Sequence, residues 1–366
     1  MDCEHGGKLR NVIGKYGIIG VVNAKIIVCA CLAATLSSAV AAALNQPGVG
    51  PGAGTRYATD AYPGFDSEEE MIKPSRKEPR LFGWFNGPKK NDSVAQFAYC
   101  EELIKDESYS KAAKELDALV RQWPVSAEAS KAQQLLADIQ LEKLHDLDEA
   151  FSEFRYLLDF FSLQCDYNAV ADRLYQVAGM MREEGKTILF FRFRNTVDVR
   201  RAYECCVLRA PGAAWVPDAM LTIADLREEE GKLAEAIKVC ENLRNIHADS
   251  VQAKTALVKE ARIRMDLLRE YEYNRLRCRD TIDFLKMAET RCDGDDRAGL
   301  ASLREQAQRM LENEAYLSAK FYDSKTRTAR SAISAYEKFL LEFPASVHAE
   351  TVKLRLEELK ANGEVK

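Results

Sequence analysis

The 366-residue chain carries 52 basic and 57 acidic residues, a formal net charge of −5, with the two signs interleaved along its length. That balance excludes the segregated basic footprint of a nucleic-acid binder. A hydrophobic content of 47% excludes a chain disordered throughout. Only 10 prolines and 19 glycines are present, and many of the glycines fall before residue 93, so long later stretches lack helix breakers.

Residues 1–43 read as a secretory signal peptide. Lys8, Arg10, Lys15 and Lys25 precede an apolar run at 26–34, and the small triplets 39–41 and 41–43 suit a processing site. Thr35, Ser37 and Ser38 interrupt the run, which barely reaches the roughly 20 apolar residues of a membrane span. Val28-Cys29-Ala30-Cys31 loosely resembles a lipobox and makes Cys31 a candidate lipid anchor.

Residues 44–92 are rich in Gly, Pro, Asp and Lys, which predicts a disordered or extended tether with too little apolar surface to offset its ordering entropy. An apolar island, Leu81-Phe82-Gly83-Trp84-Phe85, is expected to act as a clip against the first helix pair rather than as a docking motif.

Residues 93–366 carry a repeat. From Ala112, Leu116, Leu119, Trp123, Pro124, Ser126 and Ala129 follow at offsets 4, 7, 11, 12, 14 and 17. From Ala332, Tyr336, Phe339, Phe343, Pro344, Ser346 and Ala349 follow at the same offsets. Ala236 and Ala150 anchor further copies, and Ala202 and Cys278 weaker ones. The small anchor lets two helices approach closely, and offsets 4 and 7 share its face. Aromatic-Pro ends the helix, and the serine is placed to cap the next. The anchors at 112 and 150 lie 38 residues apart and those at 202 and 236 lie 34 apart, near the tetratricopeptide period of about 34. The predicted fold is all-α: a right-handed superhelical solenoid of about five to six tetratricopeptide-like helix pairs. First helices are expected at 93–105, 218–229 and about 297–323, and a β-prone insertion at 187–194, tucked into the solenoid.

No constellation for catalysis emerges, and the chain reads as non-enzymatic, with no cofactor and no metal. His5, His145, His247 and His348 are scattered. Asp293-Gly294-Asp295-Asp296 has Ala298 and Arg304 where a calcium loop needs Gly and Glu, so it reads as a turn. Of the 10 cysteines, the seven after the signal are Cys100, Cys165, Cys205, Cys206, Cys240, Cys278 and Cys292, expected as structural thiols. The repeats run to within about twenty residues of Lys366, so no catalytic domain is expected after them.

The signal peptide, the Pro/Gly-rich tether, the segment 81–90 and the repeats at 109–129, 231–253 and 329–349 together resemble the BamD type of outer-membrane protein assembly factor. The resemblance implies a periplasmic, outer-membrane-associated subunit whose partners are β-barrel assembly machine subunits and unfolded outer-membrane proteins. Members are usually lipoproteins, and this chain departs from them in lacking a full lipobox. The alternative is a periplasmic tetratricopeptide scaffold coordinating cell-wall synthesis and division. In either case the first helices should line a groove, and Phe97, Glu101, Lys105 and Lys143 are the candidate partner-binding residues.

Overall fold

The structure, a computed structural model, describes residues 62–66, 77, 87–184, 186–188, 191–193, 196–270, 274–325 and 329–363. The signal-peptide run, Cys31 and the clip at 81–85 lie outside the described residues.

Thirteen helices follow one another among the described residues, with one short hairpin between them. Six helix-turn-helix pairs and a last single helix account for them all. These are α1 (Ser93–Lys105) with α2 (Tyr109–Gln122), α3 (Ala127–Glu142) with α4 (Leu147–Phe160), and α5 (Tyr167–Glu184) with α6 (Thr196–Arg209). Then come α7 (Val216–Glu229) with α8 (Leu233–Ile246), α9 (Val251–Glu270) with α10 (Arg275–Glu289), α11 (Gly294–Lys325) with α12 (Ala329–Glu342), and α13 (Ala349–Gly363). Each helix packs on the next, and first helices of neighbouring pairs touch as well: α1 with α3, α7 with α9, α9 with α11. Contacts that reach only the adjacent pair define a helical solenoid.

All six anchors fall on second helices, and all are buried: Ala112, Ala150, Ala202, Ala236, Cys278 and Ala332. The residues four and seven later are buried with them, among them Leu116, Leu119, Phe154, Leu157, Leu243, Leu285 and Phe339. Each such large apolar side chain contributes about 2 kcal/mol on burial. At offset 11 the backbone N–H of Trp123, Phe161 and His247 donates to the carbonyl at offset 7, in each case at 2.9 Å, and Phe343 does so at 2.8 Å. Proline follows directly at 124 and 344, where the chain leaves the helix.

Unequal spacing between anchors has two visible causes. Between Ala150 and Ala202 the chain inserts an antiparallel hairpin, β1 (Lys186–Ile188) with β2 (Phe191–Phe193), in the β-prone stretch. Between Cys278 and Ala332 the helix α11 runs for 32 residues. Its stretch up to Leu311 packs Leu300, Ala307 and Leu311 into the α9–α11 core, and the stretch after it packs Ala315 and Ala319 against α12 and α13.

Capping departs from expectation at two of three serines. Ser250 accepts from the N–H of Ala253 at 3.2 Å, as predicted. Ser126 makes no side-chain cap bond, and Ser346 accepts instead from His348, two residues on. Asp293-Gly294-Asp295-Asp296 is also more than a turn. Gly294, at φ +56°, opens α11, and Asp295 and Asp296 sit in its first turn, where the helix dipole favours acidic groups.

The tether expectation is corrected at two places. Residues 62–66 are packed on α6, α7 and α8, and Lys77 is held between α2 and α4. Composition argued for disorder because the segment has little apolar surface. What holds these residues is charge neutralisation in sites that the helices provide, joined at 62–66 by burial of Tyr62 and by backbone hydrogen bonds.

Candidate functional site

The α6–α8 site starts from a helix that buries charge. On α6, Arg200 and Glu204 stand four residues apart, so they share a face, and both side chains are inaccessible to solvent. Arg200 is tolerated there because every edge of its guanidinium is met. Nη1 donates to Glu204 at 2.8 Å, Nε to Glu230 at 2.6 Å, and Nη2 to Asp66 at 3.0 Å. On α7, Arg227 faces inward. Its Nη2 lies 2.8 Å from Asp66 Oδ1, 2.7 Å from the Gly64 carbonyl and 3.1 Å from Glu204. Arg201, on the outer side of α6, donates from Nε to Asp66 at 2.9 Å.

The segment 62–66 fits this frame through its backbone as well. Asn242 of α8 donates to the Pro63 carbonyl at 3.0 Å, and the Asp66 N–H donates to Glu204 at 3.2 Å. Phe65 N–H donates to the Tyr62 carbonyl at 3.1 Å, closing a turn that stacks the two rings with centroids 5.1 Å apart. Tyr62 is buried in the main core. Gly64 sits at φ +98°, and a Cβ there would lie 2.9 Å from the Glu235 carbonyl and 3.0 Å from Val239, so the turn requires glycine.

The three arginines are matched by three carboxylates only with the segment in place. Arg200, Arg201 and Arg227 meet Glu204, Glu230 and Asp66, and half-exposed Lys232 reaches Glu230 from the rim at 3.2 Å. Burial works against the Asp66 carboxylate, but hydrogen bonds from Arg201, Arg200 and Arg227 outweigh it and hold its pKa well below the usual range. Glu204 lies deeper, and there burial raises the pKa more than Arg200 and Arg227 lower it.

Lys77 is a second fastening. Its ammonium bonds Glu153 at 2.6 Å and Asp117 at 2.9 Å, and it lies 5.2 Å from the Tyr156 ring centroid. Its N–H donates to the Tyr156 hydroxyl at 3.1 Å.

The four residues singled out in the sequence occupy the α1–α3 end. Glu101, Lys105 and Lys143 are exposed, and Phe97 is half-buried against the core. Lys143 caps the C-terminus of α3 with its ammonium 5.6 Å from the Tyr109 ring centroid. No hydrogen bond or ion pair links the four among the described residues. Sequence reasoning passed over Arg200, Arg201, Arg227, Glu204 and Asp66. The available signal was Tyr62-Pro63-Gly64-Phe65-Asp66, two aromatics around Pro-Gly inside a polar stretch.

Other features bear on chemistry. Cys100, Cys165, Cys205, Cys206, Cys240, Cys278 and Cys292 are free thiols, and all but half-buried Cys165 are buried. Burial pushes Cys240 up to about 12. No group of three His, Cys, Asp or Glu among the described residues is placed to hold a metal ion, and no described helix is long and apolar enough to cross a membrane. A cleft of about 510 Å³ lies between α10, α11 and the turn after α12, beside the ion pair of Arg279 with Glu342 at 2.6 Å.

No family model matches the chain, and neither does any curated protein. Among solved structures it is similar to a tetratricopeptide repeat protein from Parabacteroides merdae ATCC 43184, at 14% identity over 73% of this chain and 98% of that one, with a TM-score of 0.26. It is similar also to PilW, a type IV pilus biogenesis factor, at 15% identity over 72% of this chain and 99% of that one, with a TM-score of 0.24. At those TM-scores the overlays add no weight, and the fold assignment rests on the helix pairs and their buried anchors.

Proposed function

We propose that the protein is a non-enzymatic scaffold that binds extended polypeptides on its helical solenoid, and that it assists assembly and insertion of β-barrel proteins into the outer membrane from the periplasmic side. The observation that carries the binding role is the docking of residues 62–66. The helices hold a non-helical peptide by its carbonyls, its N–H, a carboxylate and an aromatic ring. A solenoid is suited to this work because stacked pairs present many shallow contacts, which together offset the ordering cost of an unfolded segment. The envelope setting is supported by the signal-peptide pattern at 1–43 and by the sequence resemblance to the assembly-factor family.

In this reading the exposed Glu101, Lys105 and Lys143, with Phe97 beside them, receive substrate at the α1–α3 end. The experiment is a pull-down from detergent-solubilised membranes with the full chain. Recovery of a β-barrel insertase supports the proposal, and recovery of peptidoglycan synthases without it replaces it with the cell-wall alternative. Reversing Lys105 and Lys143 to Glu should weaken capture of an unfolded outer-membrane protein about tenfold, two charge-assisted contacts being lost. Unchanged capture removes these residues from the binding surface.

A further inference from the structure

We propose that the cleft of α6, α7 and α8 is a receptor for short polypeptide segments bearing an aromatic-Pro-Gly-aromatic-acid pattern, and that residues 62–66 fill it in cis as a removable self-ligand. The inference rests on the scaffold reading and deepens it, by naming the class of segment that this part of the solenoid takes.

Three features mark a built receptor. The first is its charge. Without Asp66, Arg200, Arg201 and Arg227 face only Glu204 and Glu230, with Lys232 adding a further cation at the rim. A vacated cleft therefore carries excess positive charge in a buried setting, and an incoming carboxylate is the group that neutralises it. The second is its reading of backbone. Asn242 and Arg227 donate to successive carbonyls, those of Pro63 and Gly64, and Glu204 accepts from the next-but-one N–H, so the ligand is recognised through the backbone of a Pro-Gly turn. The third is steric selection, since the floor formed by Glu235 and Val239 excludes any Cβ at the position of Gly64.

Removability follows from how the segment is held. Its grip spans five residues and is wholly non-covalent. α7 packs directly on both α6 and α8, so the walls of the cleft are joined by contacts that do not involve the occupant. Tethering raises the local concentration of a cis ligand to roughly millimolar, enough to keep a weak segment bound. A partner segment with the same pattern and further contacts along the solenoid competes it away.

The test is fluorescence anisotropy with a labelled synthetic peptide of residues 58–70, titrated with the full chain. Gly64→Val releases the cis segment by steric conflict and leaves every receptor side chain intact. The peptide should bind Gly64→Val at least about tenfold more tightly than the wild type, in which the site is occupied. Adding Arg201→Ala to that background should weaken binding about tenfold, as should Asp66→Asn in the peptide. Circular dichroism checks that the helices persist. If Gly64→Val does not fold, Asp66→Ala serves as the release variant with the same expected results. Equal binding to wild type and released variant, or no binding to a folded released variant, overturns the proposal and leaves the contact a fixed fastening. Because the probe is the chain's own sequence, this result is independent of which envelope partners a pull-down recovers.

Discussion

Arg227 donates to the carboxylate of Asp66 at 2.8 Å across 161 residues of sequence, and so ties a segment that composition alone would leave free to the middle of the solenoid. The pair sets the first prediction. Asp66→Asn keeps the shape of the side chain but leaves three arginines facing two glutamates, and should cost about 3 kcal/mol in a denaturant titration at pH 7. The Asp66 carboxyl is more acidic in the folded than in the unfolded chain. Its contribution is therefore complete above the unfolded pKa, about 4, and is lost as pH falls through and below that value. The stability gap between wild type and Asp66→Asn should accordingly narrow below about pH 4. A gap that is constant with pH would show that the ion cage does not hold this segment.

A second buried pair joins neighbouring repeats. Arg209 meets Asp159 through two bonds, Nε to Oδ1 at 2.9 Å and Nη2 to Oδ2 at 2.8 Å, linking α6 to α4. Arg209 stands at offset 7 from Ala202, a position that other copies fill with Leu or Phe. Arg209→Ala should destabilise by about 3 to 5 kcal/mol, because Asp159 stays buried after losing both bonds. The double variant Arg209→Leu with Asp159→Leu should recover much of that loss, since an apolar pair of similar volume removes the desolvation penalty. Additive losses in this cycle would refute the coupling.

Anchor positions should tolerate only small residues. Ala236→Leu forces extra methylenes between α8 and its neighbours, where Ala236 has no exposed surface, and should cost about 1 to 3 kcal/mol. Ala234→Leu, two residues away on the exposed side of the same helix, should change stability by less than about 0.5 kcal/mol. Urea unfolding of both variants separates a packing anchor from a general preference for alanine.

Thiol reactivity should follow burial. Cys165 is half-buried, and its pKa is raised by burial and by Asp166. Cys206 and Cys240 are fully enclosed, and burial pushes both thiols well up. Brief maleimide treatment of the folded chain with mass-spectrometric mapping should label Cys165 first among the seven, with Cys206 and Cys240 modified only after unfolding. Early labelling of Cys240 would mean that the α8 core opens readily.

Local patterning makes the helix pairs legible in the amino-acid order. Buried small residues with large ones four and seven later, then aromatic-Pro, state a helix face and its end within some 13 residues, and such local rules do not depend on distant chain. That is why α1 ends at Lys105 and α7 at Glu229, where the spacing placed the ends of those helices. Capping was less legible, because the side-chain rotamer and the local turn decide whether a serine oxygen meets the next helix, and Ser346 meets the N–H of His348 instead.

Sequence by itself determined that this chain is a row of helix pairs, because periodic burial is written in neighbouring residues. Only the tertiary structure decided which charges meet. Asp66, Arg200 and Arg227 lie on separate elements, and their attraction matters only once folding removes them from water and sets them within hydrogen-bonding reach. Electrostatic pairing of this kind has no period along the chain, so the aromatic-Pro-Gly-aromatic pattern can mark residues 62–66 in the sequence, but which helices and charges receive them is decided in three dimensions.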